Sequence, residues 1–277
     1  MPPTDLARLV TAAIDAALAA GREILEVYGG PIAVEHKADA SPLTEADRRA
    51  HRAIAKELAA TGLPVLSEEG KSLPAEERRR WERYWLVDPL DGTKEFVRRN
   101  GEFTVNIALM QRDSGPDEEG GVAVPAAGVV LAPVKDLLYF AWHGGGAFRS
   151  DEASARFASA AARAADARRL PLRAVRDVYT IVASRSHMSP ETEEFIRAAE
   201  REHGRVELAS LGSALKICLV AEGSADAYPR FAPTMEWDTA AGHAVALEAG
   251  RELVDPRSGE PLRYNKVELV NPWFIVR

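Results

Sequence analysis

The chain is expected to fold as a layered α/β protein, and two patterns carry that expectation. From Tyr179 onward strands and helices alternate: Tyr179 to Ala183 and Val206 to Ala209 read as strands, Pro190 to His203 and Ser213 to Glu222 as helices. That order builds layered α/β architecture. Ahead of it lie two amphipathic helices and several short apolar segments with strand periodicity, enough for a sheet covered by helices. At 277 residues the chain can bury a large core, as one domain or two closely packed lobes.

The first helix is capped by Thr4 and runs to about Tyr28, with Leu6, Leu9, Val10, Ile14, Leu18 and Leu25 on one stripe and Gly29-Gly30 ending it. The second starts at Thr44, where Thr44 and Asp47 have the spacing of a capping box, and stops near Gly62. Pro64 to Ser67 is a short strand leading to Glu68, and the charge-rich Lys71 to Arg83 reads as a surface excursion over a site. Phe103, Val105, Ile107 and Leu109 alternate with Thr104, Asn106 and Ala108, the pattern of a half-buried strand. Asp113 to Pro125 reads as an exposed loop, followed by a strand pair at Gly128 to Ala132 and Leu137 to Trp142. Ser150 to Leu170, rich in Ala and Arg, is expected as a surface insertion. The anticipated division is an N-terminal α+β lobe over 1–149, a connection over 150–178 and a C-terminal α/β lobe over 179–277. A last helix, Asp238 to Ala249, closes at Gly250, and Trp273 to Val276 is a last strand.

Hydrophobic residues make up 46% and charged residues 28%, which excludes a disordered or fibrous chain. A net charge of −7 argues against a nucleic-acid polymer as partner but leaves a small polyphosphate open, provided divalent cations reverse the local sign. The single cysteine, Cys218, permits no internal disulfide and sits in an apolar run, as a buried small hydrophobe would. Met1 to Tyr28 lacks the pattern of a secretory signal, and no apolar run reaches the ~18–20 residues of a membrane span, so a cytoplasmic location is expected.

The densest chemistry lies at Trp85-Leu86-Val87-Asp88-Pro89-Leu90-Asp91-Gly92-Thr93-Lys94-Glu95-Phe96. Tyr84 to Val87 read as a strand running into Asp88, Pro89 forbids a regular ladder, and Asp91-Gly92 is turn chemistry. Two acids three residues apart on such a turn can aim at one point, as Mg²⁺ requires. Free N–H groups at Gly92 and Thr93, if they open a helix, would face the same point and suit a phosphate. Other acids are ambiguous singly: Glu68 could be solvated, Asp238 could be an N-cap, Asp47 could be only a capping-box acid, and Glu69 competes with Glu68.

These motifs resemble the Mg²⁺-dependent, Li⁺-sensitive inositol-monophosphatase-like phosphatases, whose signature is D-P-x-D-G-T. Ser41-Pro42-Leu43-Thr44-Glu45-Ala46-Asp47, Leu66-Ser67-Glu68-Glu69 and Trp237-Asp238-Thr239-Ala240-Ala241-Gly242 recur in the family's order, so the likeness spans nearly the whole chain. Lys94-Glu95-Phe96, Arg99 to Asn106, Ser184-Arg185-Ser186-His187 and Tyr228-Pro229-Arg230-Phe231 sharpen it to the 3'(2'),5'-bisphosphate nucleotidases of the CysQ type.

The resemblance implies an α-β-α-β-α sandwich and two or three Mg²⁺ ions at the site. Glu68, Asp88 and the Leu90 carbonyl would hold one ion, and Asp88, Asp91 and Asp238 a second. Asp47 and Thr93 would orient the attacking water, with Glu68 beside them. The implied substrate is adenosine 3',5'-bisphosphate, contacted by Glu68, Leu90, Asp91, Gly92, Thr93, Ser184, Arg185, His187, Ser213, Lys216, Arg230 and Asp238. Ala214 departs from the expected pattern, in which a second Ser is common. Competing readings are an inositol phosphatase on the same metals and a non-catalytic metal- or nucleotide-binding regulator. The likeness also suggests peripheral association with the inner membrane and leaves the oligomeric state open.

Overall fold

The amphipathic N-terminal stretch forms helix α1 (Pro3–Tyr28) in the computed structural model, which describes residues 3–36, 42–113, 122–172, 177–183 and 188–277. Leu6, Leu9, Val10 and Ile14 of its stripe are buried, whereas Leu25 is 40% exposed. A hairpin, β1 (Val34–His36) and β2 (Pro42–Thr44), leads into α2 (Glu45–Leu58). The expected capping box is present at its start, and Gly62, at φ +69°, ends the 3-10 turn that follows.

Next come β3 (Val65–Ser67), α3 (Ala75–Arg78), β4 (Arg83–Asp91), α4 (Thr93–Val97), β5 (Thr104–Arg112), β6 (Ala123–Ala132), β7 (Leu137–Trp142), β8 (Gly146–Ser150), α5 (Ala160–Asp166) and β9 (Arg168–Arg169). The strands form one seven-stranded sheet in sequence order, parallel between β3 and β4 and antiparallel elsewhere. The remainder is β10 (Tyr179–Val182), α6 (Pro190–His203), β11 (Val206–Ala209), α7 (Leu215–Ala221), β12 (Tyr228–Arg230), α8 (Glu236–Glu248), β13 (Leu253–Val254) and β14 (Phe274–Val276). Here β10 pairs with β11 in parallel, β14 sits between β12 and β13, and a bridge from Ile181 to Ala227 links the two groups.

Helices α1 and α2 cover one face of the large sheet over Trp85, Val87, Val105, Ile107, Leu109, Val129 and Phe140. Helix α8 covers the other over Leu86, Ala108, Met110 and Val130, with α7 beside it, the smaller strands beyond and α6 outermost. This is the expected α-β-α-β-α succession. Its tightest contact explains the small residues of α8: a Cβ on Gly128 of β6 would lie 2.2 Å from the Ala241 carbonyl oxygen, so only glycine lets helix and sheet meet there. Cys218 is buried in this layer, as anticipated. No helix among the described residues is long and apolar enough to cross a membrane.

Three sequence expectations need correction. The β5 strand is buried on both faces because α8 covers the side that carries Thr104, Asn106 and Ala108. Residues 123–125 belong to β6, with Ala123 and Pro125 buried. Ser150 to Leu170 is no surface insertion: β9 adds the edge strand, and Arg163 packs inward at 3% exposure, donating to the carbonyls of Glu152 and Ala155 and lying 4.6 Å over the Phe157 ring. A cation in a core position is invisible to apolar patterning. Lys71 to Arg83 is mostly at the surface, as expected, and is held there by buried Arg78, which donates to Asn265 Oδ1 at 2.8 Å and to the carbonyls of Lys266 and Val267 at 3.1 Å.

Candidate active site

The acids on β4 owe their common direction to an irregularity. Asp88 pairs with Asn106 and Asp91 with Thr104, so three steps on β4 oppose two on β5. In a regular strand residues three apart point to opposite faces; the extra residue at Pro89-Leu90 lets both serve one cluster. Gly92 then turns the chain at φ +93°, where a Cβ would lie 2.3 Å from Ser213 Oγ, and Thr93 opens α4.

Each acid is fixed through one oxygen. Asp88 Oδ1 accepts the Leu90 N–H at 3.0 Å. Asp91 Oδ2 accepts the Ala214 N–H at 2.7 Å and Asn106 Nδ2 at 3.3 Å. Asp238, in the first turn of α8, accepts the Met235 N–H on Oδ2 at 2.8 Å. The other oxygen of each takes no hydrogen bond among the described residues. Glu68 follows β3, its N–H bonded to the Val87 carbonyl at 3.1 Å.

Electrostatics bind these residues into one unit. Burial pushes the Asp88 carboxyl well above the usual range, and the charges of Glu68, Asp91 and Asp238 push it further. Burial raises Asp91 to about 6, with Lys216 and the bonds from Asn106 and Ala214 opposing. Asp238 is raised well above its ordinary value by burial and by Asp91, against the Met235 N–H and Arg230. Asp47 is raised by burial, with Thr44 opposing and Glu68 adding to the rise. Glu68 acts on all four, and Glu69 acts on Arg48.

Such an assembly lacks positive charge, and a hard divalent cation supplies it through oxygen ligands. Among the described residues no group of three or more acid, His or Cys side chains is arranged to hold a metal ion by itself. Mg²⁺ takes one or two carboxylates, several waters and substrate phosphate as its oxygen ligands. Donor type and charge therefore fit the ion.

Asp47 completes the capping box and also meets Thr93. Its Oδ2 accepts the Thr44 N–H at 2.7 Å and hydroxyl at 2.6 Å, and its Oδ1 accepts Thr93 Oγ1 at 3.3 Å. Thr93 Oγ1 also lies 3.5 Å from the Leu90 carbonyl oxygen. Ser213, at φ +54°, shares its hydroxyl proton between the carbonyls of Asp91 at 2.7 Å and Glu102 at 2.9 Å, so it ties the turn and has no proton left for a ligand. Lys216 is half-buried, with Nζ 5.7 Å from the Tyr228 ring centre. Arg230 donates to the Pro233 carbonyl at 3.3 Å, and its buried Nε has no partner among the described residues. Ser184, Arg185 and His187 lie outside the described residues. Asn106 was missed: it is fully buried, braced by Thr104 Oγ1 at 2.9 Å, and holds Asp91. An Asn inside an apolar strand, where that residue is depleted, was the available signal.

Residues 5–273 match the sequence model of the inositol monophosphatase family. The chain is 47% identical to a Shigella flexneri protein named 3'(2'),5'-bisphosphate nucleotidase CysQ, over 93% of this chain and 94% of that one. The protein of that name from Escherichia coli K12 is 46% identical over the same shares. A crystal structure of CysQ from Bacteroides thetaiotaomicron superposes with a TM-score of 0.84 at 53% identity, covering 96% of this chain and 95% of the other.

Proposed function

The chain belongs to the inositol monophosphatase family, and from that premise we propose that it is a Mg²⁺-dependent 3'(2'),5'-bisphosphate nucleotidase. Its reaction is removal of the 3'-phosphate from adenosine 3',5'-bisphosphate, giving AMP and phosphate. The observation that carries the reading is the set of coupled, under-neutralised carboxylates on a chain this similar to proteins named for that activity.

Glu68, Asp88 and the Leu90 carbonyl would hold one ion, and Asp88, Asp91 and Asp238 a second, with room in the reading for a third. Bound Mg²⁺ would supply positive charge to the phosphoryl oxygens and to the attacking and departing oxygens. The chain's own part is positioning, which carries most of phosphoryl transfer. Thr93 Oγ1 donates to Asp47 Oδ1, which turns its lone pairs outward to accept a hydrogen bond from the attacking water. Asp47, whose proton affinity is raised, stands behind it as acceptor. Gly92 lets the turn approach the phosphate closely. Lys216 and Arg230 act on the acids and suit the second phosphate, a role also proposed for Ser184, Arg185 and His187 from the sequence.

Phosphate release from adenosine 3',5'-bisphosphate and from inositol 1-phosphate, with and without Mg²⁺, tests the reading. It requires Mg²⁺-dependent turnover that favours the bisphosphate; preference for the inositol phosphate, or turnover without metal, overturns it. LiCl should inhibit more than NaCl or KCl at equal ionic strength, because Li⁺ is close to Mg²⁺ in size with half its charge.

A further inference from the structure

We propose that His51 and Ser67 are positioning residues that fix the separation of Asp47 from Glu68 and thereby set the affinity of the acidic cluster for Mg²⁺; this rests on the metal-dependent reading above. His51 lies four residues after Asp47 on α2, so both side chains leave the same face of the helix. Asp47 reaches forward to Thr93. His51 reaches to β3, with Nδ1 2.9 Å from Ser67 Oγ.

Ser67 is the last residue of β3, buried, and directly precedes Glu68. Its carbonyl accepts the Gly70 N–H at 2.9 Å, closing the turn that presents the acid. The imidazole packs on that turn: a Cβ on Gly70 would meet the Ser67 carbonyl oxygen at 3.1 Å and His51 Cε1 at 3.7 Å. Strand β3 is three residues long and, among the described residues, pairs with β4; beyond its end the Glu68 N–H bonds to the Val87 carbonyl at 3.1 Å, and the His51–Ser67 contact adds a side-chain tie to α2. Helix α2 thus acts as a spacer, anchored at one end to α4 through Asp47 and Thr93 and one turn later to β3 through His51 and Ser67.

Partners that orient metal-binding side chains are typically worth about 10–100-fold in metal affinity. The test is a calorimetric Mg²⁺ titration of the metal-stripped full chain as wild type, Ser67→Ala, His51→Ala, the double variant and His51→Asn, whose amide can replace Nδ1. Each alanine variant should bind Mg²⁺ about tenfold more weakly, the double variant no worse than either single, and His51→Asn close to wild type. With Mg²⁺ saturating, kcat should stay within about twofold. Wild-type affinity in the single variants, or additive losses in the double, overturns the positioning role while leaving the nucleotidase reading intact. A wild type that binds no Mg²⁺ removes the reading itself.

Discussion

Glu222 and Glu236 are as deeply buried as Asp88, at 3%, 0% and 2% exposure, yet the chain treats the two groups in opposite ways. Glu222 Oε2 accepts Tyr139 Oη and Arg149 Nη1, both at 2.7 Å, and its Oε1 accepts Ser224 Oγ at 2.6 Å. Glu236 takes the Asn265 N–H on Oε2 at 2.7 Å, and the Lys266 N–H and Nζ on Oε1 at 3.1 and 2.5 Å. Every oxygen is used and a cation touches each. At the site, Asp88, Asp91 and Asp238 spend one oxygen on an N–H, and Lys216 and Arg230 act on the cluster only from a distance. A buried charge without a partner is costly, so a fold that keeps Asp88 buried beside half-buried Asp91 and Asp238 is arranged for a partner of its own. Pairing, rather than burial, separates Glu222 and Glu236 from Asp88.

The sharpest way to break this distinction is to neutralise one acid of each kind. Asp88→Asn should lower turnover by on the order of a hundredfold or more while the metal-free protein melts no lower than wild type, since a repulsive charge is gone. Glu236→Ala should instead cost about 3–5 kcal/mol of stability, because it strands Lys266 and two backbone N–H groups. Urea unfolding and phosphate-release assays on both variants check the pair; a strongly destabilised Asp88→Asn would place that residue with the structural acids.

Acidity sharpens the comparison further. The folded Asp91 carboxyl, at about 6, lies above its ordinary 3.8. The protein therefore binds more protons folded than unfolded between those values. Its contribution to stability is present below the ordinary value and is lost as pH rises through about 6. His243 has the opposite sign: burial lowers it from 6.5 to about 3, so its contribution is present above 6.5 and lost on acidification. His243 is common to both metal states, so it cancels when stability is compared with and without Mg²⁺. The rise in Tm on adding Mg²⁺ should consequently be larger near pH 7.5 than near pH 5, and a rise independent of pH would show that the cluster is not what the ion neutralises.

A smaller effect is expected at the rim. Arg230→Ala should lower kcat/KM for adenosine 3',5'-bisphosphate by about one to two powers of ten, the value of roughly 1.5–3 kcal/mol for a charged hydrogen bond. A monophosphate lacking the 5' group should be little affected. Equal losses on both substrates would assign Arg230 to the acids, on which its charge already acts through Asp238.

What the sequence disclosed followed from strong local chemistry. Thr44 and Asp47 announced α2, Pro89 and Asp91-Gly92 announced the break in β4, and the alternation after Tyr179 announced the second half of the layers. What it hid was fixed by distant partners. Arg78 and Arg163 look like surface cations until Asn265 or the Phe157 ring is placed against them. Ser213 reads as a free hydroxyl until Asp91 and Glu102 claim it. The small strands β12 and β13 have three and two residues, too few for periodicity to register.

Proton release on Mg²⁺ binding is the most direct measure of the central claim. Titration of the metal-stripped chain near pH 6, repeated in buffers of different ionisation enthalpy, reports how many protons the ion displaces. The Asp91 carboxyl, raised by burial to about 6, must give up its proton as the ion arrives, so release should be measurable near pH 6 and its share fade toward pH 8. Saturable Mg²⁺ binding with no proton release at either pH would contradict the account, because the ion would then be neutralising acids that were never short of charge.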